Sequence, residues 1–264
     1  MHPGLPIMTP PLRNPQFFYT TTAQPCPYLP ARMERKILVD LAVPDADTLH
    51  SRLSATGFRR SHTLAYAPLC AGCSACIPIR LPVAAFAPSR TQKRVWNRNT
   101  DLSATLLPPV ATGEQYELFR QYLNTRHADG EMANMTARDY RIMVEETTVD
   151  TQIIEFRTAD NKLVAVSLTD TLDDGLSAVY SFYDPQQTTR SLGGYVVLFL
   201  IHQTFLLGRP YLYLGYWIPG SPKMAYKSRF RPAEILRDDT WQPLDPEQPI
   251  NTTRDALFPD APLF

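Results

Sequence analysis

The chain has no excess of either charge: 26 Lys and Arg stand against 26 Asp and Glu. Zero balance excludes a histone-like polycation and an acidic-tail protein, while leaving local patches able to meet polyanions. Cysteine is scarce, with four in 264 residues, which excludes a disulfide-stapled secreted scaffold. Glycine is also sparse, 11 against 25 prolines, so the connections are expected to be stiff and extended. Long hydrophobic runs are missing. The longest, 195–201, is broken by His202 and Gln203 and is too short to span a bilayer. The N-terminus has five prolines by Pro15 and no apolar signal core. These absences predict a cytoplasmic protein with no membrane partner and with reduced thiols. G-x-S-x-G is absent, which disfavours an α/β-hydrolase. The stretch Gly215–Ser221 comes nearest to a phosphate loop but lacks its lysine. The five histidines form no H-x-x-x-H pair, and His202, within an apolar helical stretch, reads as a core residue.

What charge there is lies segregated. Residues 48–100 contain no Asp or Glu, yet hold Arg52, Arg59, Arg60, Arg80, Arg90, Lys93, Arg94 and Arg98. A second basic group follows at Lys223, Lys227, Arg229, Arg231 and Arg237, opposed by Glu234 alone. The segment 238–264 reverses the sign, with six acids against Arg254. Two basic zones and an acidic, proline-rich tail predict one side facing a polyanion and another facing solvent.

Periodicity predicts a mixed α/β (α+β) class. Strands are expected at 35–42, 63–67, 77–81, 103–107, 151–156, 163–172, 177–183 and 211–218. Helices are expected at 46–56, from the cap Ser89 to Asn99, at 113–126, from the cap Thr136 to Glu146, and at 193–208, with a short one near 222–228. Gly215 within its strand predicts a bulge or a close backbone approach. The expected units are a cysteine-containing basic unit (1–110), a unit built around the long helix (111–237) and the tail (238–264).

Three motifs carry chemistry. Cys70, Cys73 and Cys76 form C-x-x-C-x-x-C, and Cys26 supplies a fourth thiol, a set able to close a structural zinc or iron–sulfur shell. A buried thiol hinge is the alternative reading. Arg190-Ser-Leu-Gly-Gly-Tyr195 opens the long helix either as a basic, glycine-rich turn suited to an anion or as a simple turn. It resembles the R-x-x-G-x-[GA] loop of GNAT-type acyltransferases, with Tyr195 in the place of a small residue. This predicts a GNAT-like frame in the C-terminal part beside a smaller cysteine-containing N-terminal unit. Finally, residues 213–232 interleave Tyr213, Tyr216 and Trp217 with Lys223, Lys227, Arg229 and Arg231, an arrangement that suits a nucleic-acid end; a core strand followed by a solvated helix is the alternative reading.

Taken together, Cys26-Pro-Tyr-Leu-Pro, the string Tyr66–Arg80, Pro88–Arg94 with Asn97-Arg-Asn99, Ser181–Pro185, Tyr213–Lys227 and Phe230-Arg-Pro232 resemble the aminoacyl-tRNA–protein transferases, most of all their short bacterial branch. The resemblance spans about 16–237. It implies transfer of an amino acid from charged tRNA to the N-terminal Asp or Glu of a protein, which marks that protein for the N-degron pathway. Leucyl-tRNA is the implied donor, and arginyl-tRNA is the alternative within the family. A cysteine-bound zinc or iron–sulfur cluster is associated with the family's N-terminal part.

Such a donor ester is already activated, so the chemistry requires no cofactor and no covalent intermediate. On this reading Tyr180, Tyr183 and Tyr216 are candidate donors or proton shuttles, and Asp184 orients the amine. Arg190, Arg229 or Arg231 holds the acceptor carboxylate, and Lys223 and Lys227 meet terminal phosphates. Arg90, Lys93, Arg94 and Arg98 grip the tRNA stem by shape and phosphate. Two other classes compete: an acyl-coenzyme A N-acyltransferase and a non-enzymatic cysteine-rich RNA-binding module.

Overall fold

The structure, a computed structural model, describes residues 15–127, 130–245 and 250–253. The N-terminal part contains β1 (Phe18–Thr20), β2 (Gln24–Pro25), β3 (Met33–Glu34), β4 (Lys36–Asp40), α1 (Ala46–Ala55), β5 (Arg59–Ser61), β6 (Leu64–Pro68) and β7 (Ile77–Pro82). Then come α2 (Arg90–Arg98), β8 (Ser103–Leu107), α3 (Gly113–Arg126) and α4 (Ala137–Glu145). The remainder holds β9 (Thr151–Arg157), β10 (Leu163–Leu172), β11 (Gly175–Tyr183), α5 (Leu192–Leu206), β12 (Tyr211–Trp217), β13 (Glu234–Arg237) and β14 (Thr240–Pro243). The expected mixed α/β class is what is found. None of the described helices is long and apolar enough to cross a membrane.

Local chemistry explains the helix starts. Ser89, Thr112 and Thr136 each accept from a backbone N–H three residues on, and Gln92, Gln115 and Asp139 return the bond. These capping boxes satisfy donors that a helix start otherwise leaves unpaired.

Eight strands form the main sheet in the order β14-β13-β7-β12-β11-β10-β9-β8. Its neighbours are antiparallel except β11 and β12, which run parallel across the crossover through α5. β10 is buried at nine of its ten positions, because helices cover both faces of the sheet. Ile154, Phe156 and Val164 join the core under α5, while their neighbours Ile153, Leu163 and Val166 join the core under α3 and α4. That alternation is the pleat distributing side chains to opposite faces.

A smaller sheet, β1-β4-β6-β5, carries α1 over a third core of Val39, Leu41, Leu49, Leu53 and Ala65. A buried polar clamp ties it to the main sheet. Arg60 donates to both oxygens of Asp170 at 2.7 Å, and His50 Nε2 and Thr151 Oγ1 reach the same carboxylate at 3.0 and 2.8 Å. Ser54 Oγ lies 3.5 Å from His50 Nδ1. The Ser-His-Asp order imitates a catalytic triad, but His50 and Asp170 are sealed from solvent at 1% and 0% exposure, so the cluster acts as a structural clamp.

The main sheet takes β7 and β8 from before residue 110 and β14 from after 237. Strand pairing joins segments far apart in sequence, and periodicity carries no record of it. β14, at the start of the expected acidic tail, forms a hairpin with β13 just before it, and its Trp241 donates to the Ala55 carbonyl at 2.8 Å. Glu247, Arg254, Asp255 and Asp260 lie outside the described residues, as does the proline-rich start before residue 15. His202 is exposed rather than in the core, its ring 5.4 Å from Trp96. One turn of α5 faces α2, and a helix that is apolar nearly all round does not reveal which side that is.

Candidate active site

The parallel pair β11 and β12 comes apart. Gly175, Leu176 and Ser177 pair with Tyr211, Leu212 and Tyr213, and the ladder stops there although both strands continue. Two glycines shape the fork. At Gly175, an added Cβ would lie 2.0 Å from the Tyr211 carbonyl oxygen. Gly215 has φ +75°, at the bulge where the register between β12 and β7 shifts. Past the fork, Arg59 of β5 enters between the strands. Its Nη2 donates to the carbonyls of Ala178 and Val179 at 2.7 and 3.1 Å, and its Nη1 to Ser177 Oγ at 3.4 Å. It thereby satisfies carbonyls that a continuous ladder would have used. An added Cβ on Gly215 would lie 2.6 Å from Arg59 Nε, so the strand approaches this closely only because it has no side chain there.

The ends of the fork are lined with tyrosines. Tyr180 and Tyr183 are half-buried on β11, and among the described residues neither hydroxyl has a hydrogen-bond partner. Burial pushes the Tyr180 phenol up to about 12, which keeps it a proton donor. The Tyr183 ring packs against Gly193 at the start of α5, where a Cβ would meet it at 2.9 Å, and lies 5.0 Å from the Tyr122 ring. Tyr122 Oη is 3.2 Å from His127 Nε2. Burial, then the charges of Lys223 and Arg126, hold His127 below its usual pKa. Tyr195 turns into the core between Trp96 and Phe156, away from the α5 start, so its bulk does not fill that turn.

The two basic zones of the sequence meet in space. The start of α2 is bound to the turn that follows β12: Gln92 Nε2 donates to the Arg229 carbonyl at 3.1 Å, the Ala87 amide to the Arg231 carbonyl at 3.3 Å, and Phe86 stacks on Phe230. Arg90, Lys93, Arg94, Arg98, Lys223, Arg229 and Arg231 are all exposed. Among the described residues none of the seven forms an ion pair. Arg98 donates to the Thr189 carbonyl, which carries the basic strip to the start of α5. The apolar side of α2 presents Val95 and Trp96 to the core, leaving its cations outward.

Other candidate residues are engaged elsewhere. Arg190 makes two 2.8 Å bonds to Asp101, so its charge is already neutralised. Asp184 accepts from Lys162 at 2.9 Å and from the Gln186 amide at 3.0 Å, closing the turn after β11. Tyr216 Oη lies 2.9 and 3.1 Å from the carbonyls of Gly57 and Tyr66, which share its one proton. Lys227 is not a surface residue: it is 8% exposed and its Nζ donates to the Tyr216 carbonyl at 2.6 Å. Burial, helped by the charge of Arg59, lowers it to about 7.

Cys26, Cys70, Cys73 and Cys76 are half-buried free thiols within electrostatic reach of one another. Burial first, and then its three fellow cysteines, push Cys76 up to about 12. Among the described residues no three His, Cys, Asp or Glu side chains are grouped so as to hold a metal ion. The chemistry below is derived without a metal, since a donor ester that arrives activated needs none.

Sequence reading missed Arg59, Tyr122 and His127. Arg59 was only one of eight bases in an acid-free run, and alternation along β5 could have shown only that Arg59 and Arg60 face opposite ways.

Comparison with known proteins adds a further line. Residues 24–94 match the family model "Arginine-tRNA-protein transferase, N terminus", and residues 114–237 match its "C terminus" counterpart. A relative from Gluconacetobacter diazotrophicus, named aspartate/glutamate leucyltransferase, is 59% identical over 88% of this chain and 90% of its own length. One of the same name from Granulibacter bethesdensis is 53% identical over 96% of each chain. A third, from Gluconobacter oxydans, is 57% identical over 86% of this chain and 95% of its own. Among solved structures, FemX overlaps 68% of this chain and 62% of its own at TM-score 0.41 and 8% identity.

Proposed function

The chain belongs to the arginine-tRNA–protein transferase family and is an aminoacyltransferase, and on that premise we propose that it moves leucine from leucyl-tRNA onto the N-terminal Asp or Glu of acceptor proteins. In the same proposal the reaction takes place in the cytoplasm and its product enters the N-degron pathway. The observation that carries the reading is the surface of seven exposed, unpaired cations leading to the forked sheet.

Exposed Arg and Lys grip phosphates without reading sequence, as a tRNA acceptor stem requires. Arg90, Lys93, Arg94 and Arg98 hold the stem, and Lys223, Arg229 and Arg231 meet phosphates nearer the charged end. The acceptor's α-amine has an ordinary pKa of about 7.7–8.0, so near neutrality a useful fraction is free base. That amine attacks the ester carbonyl carbon. The carbonyl oxygen becomes an oxyanion, for which the unpartnered hydroxyls of Tyr180 and Tyr183 are suitable donors. His127, beside Tyr122, is suited to take the proton that the amine loses. As the tetrahedral species collapses, the ester C–O bond breaks, an amide forms and the ribose hydroxyl leaves with a proton. Positioning is the main demand, because the donor arrives activated.

The test is transfer of labelled leucine or arginine from charged tRNA to a peptide beginning with Asp. The reading expects a leucyl-Asp product from leucyl-tRNA. Label moving only from arginyl-tRNA would shift the donor to the family's other branch, and no labelled peptide from either would overturn the reading.

A further inference from the structure

Resting on that reading of the reaction, we propose that Arg59, assisted by Lys227, forms the pocket for the side-chain carboxylate of the acceptor's N-terminal residue. Charge comes first. Arg59 is held in the fork by neutral groups alone, the Ser177 hydroxyl and the Ala178 and Val179 carbonyls. Lys227 likewise bonds to a neutral carbonyl, that of Tyr216. Among the described residues no carboxylate pairs with either. The two cations meet neighbouring positions of one strand, Arg59 against Gly215 and Lys227 on Tyr216. Their electrostatic neighbours are Tyr28, Tyr216, Tyr226 and the Cys76 thiol. Glu34, which acts on Tyr28 and Cys76, bonds to Lys36 at 2.8 Å.

A half-buried Arg59 and a buried Lys227 are costly to keep charged with no anion beside them, and that cost is offset once an anion enters and favours the charged lysine. The fork is therefore prepared for a negative group. A carboxylate suits it better than an RNA phosphate, since exposed cations already line the approach and this pair lies inside, among aromatic rings. In such surroundings a charged partner is distinguished sharply from its amide isostere, because the amide leaves the cations unneutralised. Arg190, an alternative for this task, is paired with Asp101, while Arg229 and Arg231 are exposed on the outer surface.

The experiment uses the full chain and short peptides alike except for a first residue of Asp, Glu, Asn or Gln. Peptide affinity is read by competition, and the KM for leucyl-tRNA is measured alongside. The wild type is expected to bind the Asp peptide more tightly than the Asn peptide. Arg59→Gln should weaken Asp-peptide binding roughly thirtyfold or more, the scale for removing one side of a buried charge pair. It should affect the Asn peptide far less and leave the leucyl-tRNA KM in place. Lys227→Met should act in the same direction, whereas Arg229→Ala should raise the leucyl-tRNA KM and keep the Asp preference. Should thermal melting show that Arg59→Gln does not fold, Lys227→Met and the charge-preserving Arg59→Lys, expected to retain part of the preference, decide the matter. The pocket assignment is overturned if the Asp preference survives in the folded variants, if it disappears with Arg229→Ala instead, or if the variants act on leucyl-tRNA KM alone. It is also overturned if the wild type shows no Asp preference. A wild type that prefers Asp peptides but transfers no amino acid would sink the transfer reading and leave the pocket standing.

Discussion

At the scale of single residues, the fork depends on atoms that are missing. Gly215 adopts φ +75° with the Arg59 guanidinium where a Cβ would be, so Gly215→Ala faces both backbone strain and a clash. We expect a loss of about 1–3 kcal/mol, seen as a lowered Tm, together with weaker Asp-peptide binding as Arg59 is displaced. An unchanged Tm and affinity would mean that Arg59 has free space the structure does not show. Gly215 was legible as a bulge because glycine inside a strand has few other uses. Arg59 was not, since an arginine half-buried against carbonyls has the same letter as one waving in solvent. The same holds for Lys227, which charge counting put on the surface and the fold buries.

At the scale of elements, α2 combines a cap, an apolar stripe and an outward row of cations. Arg90→Ala with Arg94→Ala should weaken tRNA binding and reduce its salt slope by about one for each phosphate no longer neutralised, without altering the fold. Binding and slope identical to wild type would remove α2 from the interface. Ser89→Ala removes the cap while leaving every charge in place. It is expected to cost about 1 kcal/mol and to loosen tRNA binding modestly, as the first turn carrying Arg90 and Lys93 frays. Circular dichroism melts alongside filter binding measure both effects. This helix was readable from Ser89 onward because caps and periodicity act over a few residues. Its partnership with the turn after β12 was not, since it rests on hydrogen bonds such as that from Gln92 to Arg229, 137 positions apart.

At the scale of the whole molecule, Asp170 joins the small sheet to the large one. Burial alone would raise its pKa, but hydrogen bonds from His50 and Arg60 outweigh burial and hold it at about 2. A depressed folded pKa stabilises the protein above the ordinary carboxylate range, and that contribution is lost as pH falls from about 4 through about 2. Asp170→Asn is expected to cost about 3–5 kcal/mol at neutral pH, because Arg60 is left buried without its partner. The variant should also lose part of the acid limb of the stability curve, measured by denaturant unfolding across that range. A variant as stable as the wild type would show that the two sheets stay together without this clamp. Since β5 carries both Arg60 and Arg59, loosening the clamp should also disturb the fork.

The amino-acid order alone determined the mixed α/β class, the span 113–126 of α3, the capped start of α2 and the bulge at Gly215. Each is encoded within a turn or two by caps, periodicity and backbone preference. Only tertiary structure decided that two basic zones become one surface, that residues on both sides of the expected unit boundaries share a sheet, and that Arg59 rather than its seven basic neighbours enters the fork. Those outcomes depend on pairing and desolvation between elements, most of them distant in sequence, and no single local stretch of chain carries that information.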